Sequence, residues 1–343
     1  MYSVLLIGAG RSGVLFEKDP LRVKPASHLG AILKFKNRLK LIGVCDIDKS
    51  LKNDIIDIAG DIDFYTDYKT ALKSLKPDIA VISTWTNTHK DIFIEAINSG
   101  VKGVVLEKPV AKNIKEAEEM LSVWKKRKIP VVVNHERRWD RKYIIAKRLI
   151  MEGYIGKIKT VYGKVLLGNI SEKYEKQILE IEGGGPLIHD GTHLIDLFYY
   201  FFGELNIRDI RIKKGKFIEK TVIGLLMTQH NIPVIFEVGG EREYFHFIIE
   251  IEGTKGVIKV GNGIKELYIS ENSKRYSGFK DLIPKKFPLE LIKDIPGFLG
   301  PYIEILNSLD NNRLPNSSLY DGIKTLKLIY SIYDNNNKTN NPK

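Results

Sequence analysis

The chain has 343 residues, of which 43% are hydrophobic and 28% are charged, with a formal net charge of +12. This length exceeds what a single hydrophobic core usually serves, and the composition is typical of a soluble globular protein, so two domains are expected. A membrane span and a secretory signal are not expected, because the sequence has no apolar run of about 18 residues and starts directly with a strand pattern. The single cysteine, Cys45, cannot form an intramolecular disulfide, and a cytoplasmic location is favoured.

The excess positive charge is scattered along the chain rather than concentrated in one segment. It is consistent with attraction of an anionic ligand and also with a composition that is simply rich in lysine. Nucleic-acid binding is not expected, because no interleaving of aromatic and basic residues and no known reading motif accompanies the charge.

The first 134 residues alternate short apolar runs with helical patterns, which predicts a parallel sheet with crossover helices and a first domain over 1–134. Strands are predicted at 2–7, 40–45, 79–83, 102–106 and 130–134, and helices at 27–36, 50–59, 67–75, 88–98 and 113–127. Asn113 is predicted to cap the last of these helices.

Residues 135–334 follow a different pattern and are expected to form a second domain. Helices are predicted at 138–152, from the glycine-rich loop at 183–186 to 202, at 298–309 and at 319–333, and strands at 157–168, 206–214, 221–229, 232–239, 245–252, 256–260 and 265–270. Few helices separate these strands, so an antiparallel sheet is predicted. Residues 335–343 are expected to form a polar, frayed tail.

The first strand is followed directly by Gly8-Ala9-Gly10-Arg11-Ser12-Gly13. In such a GxGxxG loop the first glycine permits a tight turn, the second lets the backbone approach a pyrophosphate, and the third lets helix and strand pack closely. Asp46 ends the second apolar run, where a carboxylate binds ribose hydroxyls and repels a 2′-phosphate, so NAD is predicted over NADP. Asp46 lies 33 residues after Gly13 rather than about 20, which indicates an inserted loop over 16–24. Arg11 could also reach a phosphate.

Lys108 follows the short apolar strand at 102–106, within Glu107-Lys108-Pro109. Ligands of open α/β sheets bind outside the carboxyl ends of the strands. A primary amine at this position would therefore face a bound nicotinamide. Taken alone, the residue favours the interpretation of a solvated lysine in a strand-to-helix loop, and the other motifs of the chain reverse that preference.

Several segments together resemble the Gfo/Idh/MocA oxidoreductases, named for glucose-fructose oxidoreductase and inositol dehydrogenase. The matching segments occur in the family's order at 8–13, 44–46, 82–89, 107–109, 155–157, 183–185, 193–196 and 253–256. The resemblance implies a Rossmann domain followed by an α/β domain with a large open, mostly antiparallel sheet. It also implies NAD(P)-linked oxidation or reduction of a sugar, sugar derivative or cyclitol, and a homodimer or homotetramer paired through the open sheet face.

The chain departs from the family pattern at two places. Thr84-Trp85-Thr86 stands where the family commonly has Thr-Pro-Asn, and Trp85 either stacks near the nicotinamide or fills the loop. His189 stands where the family usually has the aspartate of D-x-G-x-H, with Asp190 one residue later and His193 at the histidine position. The predicted cofactor-binding residues are Gly8, Gly10, Arg11, Ser12, Gly13, Asp46, Thr84, Trp85, Thr86, His89, Glu107 and Lys108.

Hydride removal from a carbinol carbon needs a base for the hydroxyl proton and a nicotinamide face about 3–3.5 Å away. His193 is the predicted base, or the acid in the reverse direction, and Lys108 is predicted to orient and polarise the substrate oxygen. Glu107 is expected to anchor the loop or the cofactor. His189 and Asp190 are expected to contact the substrate or tune His193.

The stretch after the last predicted strand of the first domain supplies further candidates. Arg137 and Arg138 could bind a carboxylate or phosphate of the substrate, or form surface ion pairs at a domain junction. Tyr143 is a further substrate-binding candidate. His189 and His193, four residues apart, could hold a metal, but a metal is not expected because the glutamate of an HExxH motif is lacking.

These residues predict a cytoplasmic NAD-dependent dehydrogenase of a small sugar or polyol, possessing no nucleic-acid or membrane partner. The arginine pair hints at an acidic or nucleotide-linked substrate. Two alternatives stay open: an NAD-dependent glycoside hydrolase of the same fold, which oxidises, eliminates and returns the hydride, and a nicotinamide-sensing regulatory protein without turnover.

Overall fold

The computed structural model describes residues 1–339. The chain forms two compact units, one comprising Met1–Glu136 and Ile295–Lys327 and the other Arg137–Asp294 and the residues from Leu328 onward. The predicted division into 1–134 and 135–334 differs from these units in the placement of the C-terminal segment 295–327. The expected polar tail begins inside the last helix, and its residues 340–343 lie outside the described part of the chain.

Each unit is built on one sheet. The strands of the first sheet are β1 Tyr2–Ile7, β2 Leu39–Cys45, β3 Phe64–Tyr65, β4 Ile79–Ile82, β5 Gly103–Leu106 and β6 Val131–Val133. Those of the second are β7 Ile158–Leu166, β8 Leu205–Lys214, β9 Glu219–Thr228, β10 Pro233–Gly239, β11 His246–Gly253, β12 Gly256–Gly261, β13 Ile264–Asn272 and β14 Lys280–Lys285. The short β3 and the exposed β14 were not predicted.

The α-helices have the following bounds: α1 His28–Lys34, α2 Lys52–Ala59, α3 Tyr68–Leu75, α4 Thr86–Asn98, α5 Ile114–Arg127, α6 Arg141–Met151, α7 Glu172–Glu182, α8 Pro186–His189, α9 Gly191–Phe202, α10 Gly300–Asp310 and α11 Leu319–Thr339. The predicted cap of α5 is confirmed, since Asn113 accepts a hydrogen bond from the Glu116 N–H at 2.9 Å. The long helix expected between the glycine-rich loop at 183–186 and residue 202 is instead broken at Asp190 into α8 and α9, and α7 was not predicted. Among the described residues, every helix is too short or too polar to span a bilayer.

The first sheet is parallel throughout, in the order β3-β2-β1-β4-β5-β6. Its central strands β4 and β5 are buried at every residue, as expected for strands covered by helices on both faces. The C-terminal helix α10 packs against β5 and β6, and the Ser317 hydroxyl donates to the Val133 carbonyl at 2.8 Å. These contacts explain why residues 295–327 belong to the first unit.

The second sheet has the order β14-β13-β12-β11-β7-β10-β9-β8 and is antiparallel except for the β7–β10 pair. Helix α9 packs against β7, where a Cβ on Gly163 would lie 2.4 Å from the Phe198 ring. Within the aromatic run at 198–202, Phe198 and Phe202 are buried. The predicted fold class, a parallel α/β domain and an α/β domain with a mostly antiparallel sheet, is confirmed.

Candidate functional site

The predicted cofactor residues meet at one edge of the parallel sheet. Strands β1, β4 and β5 are neighbours, and they are followed by the glycine loop at 8–13, by Thr84-Trp85-Thr86 and by Glu107-Lys108. Because parallel strands end at the same edge, the three segments lie side by side where open α/β sheets bind ligands.

The three glycines of the loop have different surroundings. Gly8 has a φ of +98°, and a Cβ there would lie 2.5 Å from the Ser83 carbonyl carbon. A Cβ on Gly13 would lie 2.1 Å from the Gly8 oxygen, whereas a Cβ on Gly10 meets no heavy atom within 4 Å. Packing of the chain therefore explains Gly8 and Gly13, while Gly10 borders open space. An anionic group that needs close backbone approach, such as a pyrophosphate, fits this arrangement.

The inserted loop interrupts a helix. The first helical turn runs from Gly10, whose oxygen accepts a hydrogen bond from the Val14 N–H at 2.9 Å. The N–H groups of His28 and Leu29 donate to the oxygens of Ser12 and Gly13, both at 2.9 Å, so α1 continues that turn. The intervening residues are looped out of the helical hydrogen-bond pattern. Without them, the spacing between Gly13 and Asp46 approaches the usual value of about 20 residues.

Asp46 is tied to the glycine loop. One carboxylate oxygen accepts from the Ala9 N–H at 2.7 Å and the other from the Asp48 N–H at 2.9 Å. A carboxylate has about four acceptor positions, so capacity for ribose hydroxyls remains. Arg11 is exposed, with its guanidinium carbon 5.1 Å from the centre of the Phe16 ring. The residues present therefore fit an adenosine ribose and a pyrophosphate.

Trp85 projects from a firmly held backbone. Its carbonyl accepts from the Thr88 N–H at 3.0 Å and from the Thr88 hydroxyl at 2.8 Å, and that hydroxyl also bonds to Thr84 Oγ1 at 2.7 Å. The side chain is nevertheless 62% exposed. Of the two alternatives from the sequence, filling of the loop is contradicted, because the indole lies outside it.

His89, predicted to bind the cofactor, is buried between two loops. Its Nδ1 lies 2.9 Å from the Pro109 oxygen and its Nε2 lies 3.1 Å from the Thr84 oxygen. Its side chain is 1% exposed. The imidazole therefore links the loop that carries Trp85 to the loop that carries Lys108, and it has the geometry of a support rather than of a cofactor ligand.

Glu107 is buried beside the half-buried Lys108. One carboxylate oxygen accepts from Asn134 Nδ2 at 2.7 Å and lies 2.9 Å from His28 Nε2. The other accepts from the Lys108 backbone N–H at 3.2 Å. Burial alone would raise the pKa of Glu107, but the hydrogen bond from His28, the neighbouring positive charge and the hydrogen bond from Asn134 lower it to about 2. Glu107 thus anchors the loop, and His28 is a site neighbour that the sequence did not indicate.

The predicted base lies in the second unit. His193 is in the first turn of α9, is 7% exposed, and donates its backbone N–H to the Asp190 oxygen at 3.2 Å. His189 ends α8, and its Nδ1 lies 4.0 Å from Glu182. The break at Asp190 places the two histidines on different helices, unlike a metal-binding pair on one helix. Among residues 1–339, no group of three or more His, Cys, Asp or Glu side chains is arranged to hold a metal ion.

The side chains proposed to bind an anionic substrate are engaged within the second unit. Arg138 is 7% exposed and forms a two-point ion pair with Asp196, at 2.8 and 2.7 Å. Arg137 donates to Asn262 at 2.9 Å and to the hydroxyl of the fully buried Tyr143 at 3.2 Å. Its guanidinium also lies over the Phe247 ring at 3.7 Å. Arg138 and Tyr143 have the geometry of internal supports, which corrects the expectation that they contact substrate. The alternative of a surface ion pair also does not describe Arg138, because its ion pair is buried.

Two family models match the chain. One, described as an oxidoreductase family with an NAD-binding Rossmann fold, matches residues 3–135, and one described as the C-terminal alpha/beta domain of an oxidoreductase family matches residues 147–340. The D-glucoside 3-dehydrogenase of Escherichia coli is 25% identical over 175 residues, which are 49% of this chain and 48% of that protein. The chain spans less than half the length of several curated relatives that it matches.

Solved structures of the same fold cover nearly the whole chain. A levoglucosan dehydrogenase in complex with NADH and levoglucosan superposes with a TM-score of 0.80 at 19% identity, over 98% of this chain and 97% of that one. The WlbA dehydrogenase of Bordetella pertussis, in complex with NADH and UDP-GlcNAcA, gives 0.77 at 20% identity, over 98% and 97%. The family resemblance is confirmed: this chain belongs to the Gfo/Idh/MocA family of oxidoreductases.

Proposed function

We propose that the protein is an NAD-dependent dehydrogenase that acts on a hydroxyl-bearing or keto carbon of a sugar, sugar derivative or cyclitol. This proposal rests on one observation at the edge of the parallel sheet. The glycine loop, which is open at Gly10, follows β1, and Lys108 follows β5, with only β4 between these two strands. A nucleotide loop by itself would serve a binding protein. An amine at the end of β5 adds a group suited to stabilising a developing alkoxide.

The chain's own residues have separate roles in the proposed reaction. The glycine loop and Asp46 hold the nucleotide, and Asp46 disfavours a 2′-phosphate. When bound, NAD supplies the hydride acceptor. Lys108 orients the substrate oxygen and stabilises its negative charge, while His193 takes up the hydroxyl proton. His189 and Asp190 contact the substrate or tune His193, and Trp85 offers an aromatic face to the nicotinamide.

Substrate class is supported by the relatives. The E. coli relative is named as a D-glucoside dehydrogenase, and the two structural neighbours hold levoglucosan and UDP-GlcNAcA. A nucleotide-linked or acidic sugar thus stays within the proposal, although Arg138 no longer supports it because its charge is paired with Asp196. We also propose a cytoplasmic location and a homodimer or homotetramer, which rest on the single cysteine and on the family resemblance.

The test is a turnover assay. Purified protein is incubated with NAD and a panel of aldoses, glycosides, cyclitols and nucleotide sugars, and NADH is followed by absorbance. At least one compound should reduce NAD. Lys108→Met and His193→Asn should then lower kcat by about a hundredfold or more. Lys102→Met is the matched control, because Lys102 is an exposed lysine paired with Asp78 beside the opposite end of β5.

Two outcomes would contradict the proposed dehydrogenase function and favour another function. Cleavage of a glycoside without net NADH formation would identify an oxidation–elimination hydrolase. Binding of NADH with every sugar left unchanged would identify a nicotinamide sensor.

A further inference from the structure

We infer that His28 and Tyr302 are positioning residues for Lys108, which they hold in place through the carboxylate of Glu107. This inference rests on the dehydrogenase function proposed above and extends it to two residues that lie outside the short motifs of the cofactor site. It also assigns a role to the C-terminal segment of the first unit.

A continuous set of hydrogen bonds runs through the interior of the first unit. The Tyr302 hydroxyl lies 2.9 Å from His28 Nδ1, and His28 Nε2 lies 2.9 Å from Glu107 Oε1. Asn134 donates to the same carboxylate oxygen, and the other oxygen accepts from the Lys108 backbone N–H. His28 and Tyr302 are fully buried. The set therefore links the first turn of α10 to the main chain of Lys108.

The protonation states determine which groups of this set donate and which accept a hydrogen bond. Burial and the charge of Glu107 raise the pKa of Tyr302 well above 10, so its hydroxyl keeps its proton and can donate to His28 Nδ1. The Glu107 carboxylate is ionised and can only accept, so His28 Nε2 donates a proton to it. The Tyr302 hydroxyl and the Glu107 carboxylate therefore hold the two ring nitrogens of His28.

Glu107 is a buried and ionised carboxylate, so its position needs an explanation. Taking a carboxylate out of water is costly unless it is hydrogen-bonded and paired, and apolar packing can hold a loop without that cost. Glu107 lies directly beside Lys108 in the chain, and the charge of Lys108 is one of the causes that keep Glu107 ionised. The attraction is mutual, and a Glu107 oxygen also holds the backbone N–H of Lys108. Loosening Glu107 should therefore move the amine.

Two separate parts of the chain converge on this carboxylate. His28 is the first residue of α1 and is placed by the helix that resumes after the inserted loop. Tyr302 comes from α10, and Phe298 packs edge-on against the His28 ring with centroids 5.2 Å apart. Both residues lie outside the short family motifs, although the two family models span them. The start of α1 and a distant C-terminal helix thus fix one side chain at the site.

The first test measures turnover in four variants. Tyr302→Phe removes one hydroxyl and should lower kcat by about fivefold, and His28→Leu, which removes a bond to a charged group, should lower it by about thirtyfold. His28→Gln keeps a donor and an acceptor and should recover most of the loss. Affinity for NADH should stay within about twofold, because the glycine loop and Asp46 are untouched. Tyr2→Phe, which removes an exposed tyrosine–carboxylate contact with Asp310, is the control and should leave kcat unchanged.

A purely structural role predicts another result. It would lower the unfolding temperature but leave kcat per folded molecule unchanged, measured well below that temperature. Unchanged kcat in Tyr302→Phe and His28→Leu would overturn the inference. So would a loss of kcat matched by an equal loss of NADH affinity. Tyr302→Phe keeps the test valid if His28→Leu does not fold.

A second test does not depend on turnover. Reductive methylation with formaldehyde and a borohydride, quantified by peptide mass spectrometry, reports how readily Lys108 reacts. His28→Leu and Tyr302→Phe should change the rate at Lys108 several-fold relative to Lys102 in the same molecule, and an unchanged ratio would overturn the inference. If no sugar is oxidised but the ratio changes, the proposed function fails while the positioning of Lys108 stands.

Discussion

Gly10→Ala separates the stability of the glycine loop from its capacity to bind a nucleotide. A Cβ at this position meets no heavy atom within 4 Å, and Gly10 does not have a positive φ. The free energy of unfolding without ligand is therefore expected to stay level or to rise by about 0.4–1 kcal/mol. Gly13→Ala could not make this separation, because its Cβ would lie 2.1 Å from the Gly8 oxygen and disturb the loop itself.

The added methyl group would occupy the space through which a pyrophosphate approaches the backbone. We expect NADH to bind at least about tenfold more weakly, a loss of about 1.4 kcal/mol. At a concentration near 100 times the wild-type Kd, NADH stabilises the wild type by about 2.7 kcal/mol, and the variant would retain only about half of this. The NADH-induced shift in unfolding temperature should fall in proportion.

Two measurements check this prediction: thermal unfolding with and without NADH, and a fluorescence titration of NADH binding. Gly168→Ala is the control, because its Cβ makes only an ordinary contact of 4.0 Å in the second unit. An undiminished NADH shift in Gly10→Ala would refute the placement of the nucleotide. A large loss of stability without NADH would refute the reading of Gly10 as bordering open space.

Three further predictions concern charged groups. Asp46→Asn keeps the size of the side chain but removes the charge that repels a 2′-phosphate. The ratio of NADPH to NADH affinity, measured by parallel titrations, should therefore rise by about tenfold or more. An unchanged ratio would show that Asp46 does not select the cofactor. Folding lowers the pKa of Glu107 from 4.5 to about 2, so the ionised carboxylate stabilises the fold above pH 4.5 and this stabilisation is lost as the pH falls towards 2. The difference in free energy of unfolding between wild type and Glu107→Gln should shrink by about 3 kcal/mol over that range, measured by denaturant titrations. Arg138→Met removes the arginine that pairs with the buried Asp196 carboxylate. It should lower the free energy of unfolding by about 3–5 kcal/mol and change KM little. A raised KM in protein of normal stability would indicate that Arg138 contacts the substrate.

Local sequence patterns were sufficient for most of the elements and for the nucleotide loop. The apolar runs of β4 and β5 are buried on both faces, and such strands appear directly as short hydrophobic stretches. The long interval between Gly13 and Asp46 correctly indicated an insertion. The sequence could not show that α1 would resume the same helix, because that depends on hydrogen bonds from His28 and Leu29 to residues before the insertion.

The partners of the charged side chains were beyond sequence reasoning. Arg138 pairs with Asp196, 58 positions later, and no local pattern distinguishes that pairing from an arginine awaiting a substrate. His28 meets Glu107 79 positions away and Tyr302 274 positions away. Such contacts are set by tertiary packing. The break at Asp190 was missed for the same reason, since the residues on both sides of it are apolar enough to continue one helix.

The first unit is discontinuous in the chain, and this bears on how the protein is made. Its sheet is complete by residue 133, but α10 and Tyr302 emerge only after the entire second sheet has been synthesised. During that interval the nascent parallel sheet lacks its cover over β5 and β6, and Glu107 lacks the outer part of its hydrogen-bond set. Domains generally fold as units during synthesis. Here the earliest domain to begin folding is completed late, so a fragment ending at residue 136 should be a poor substitute for the nucleotide-binding half of the molecule.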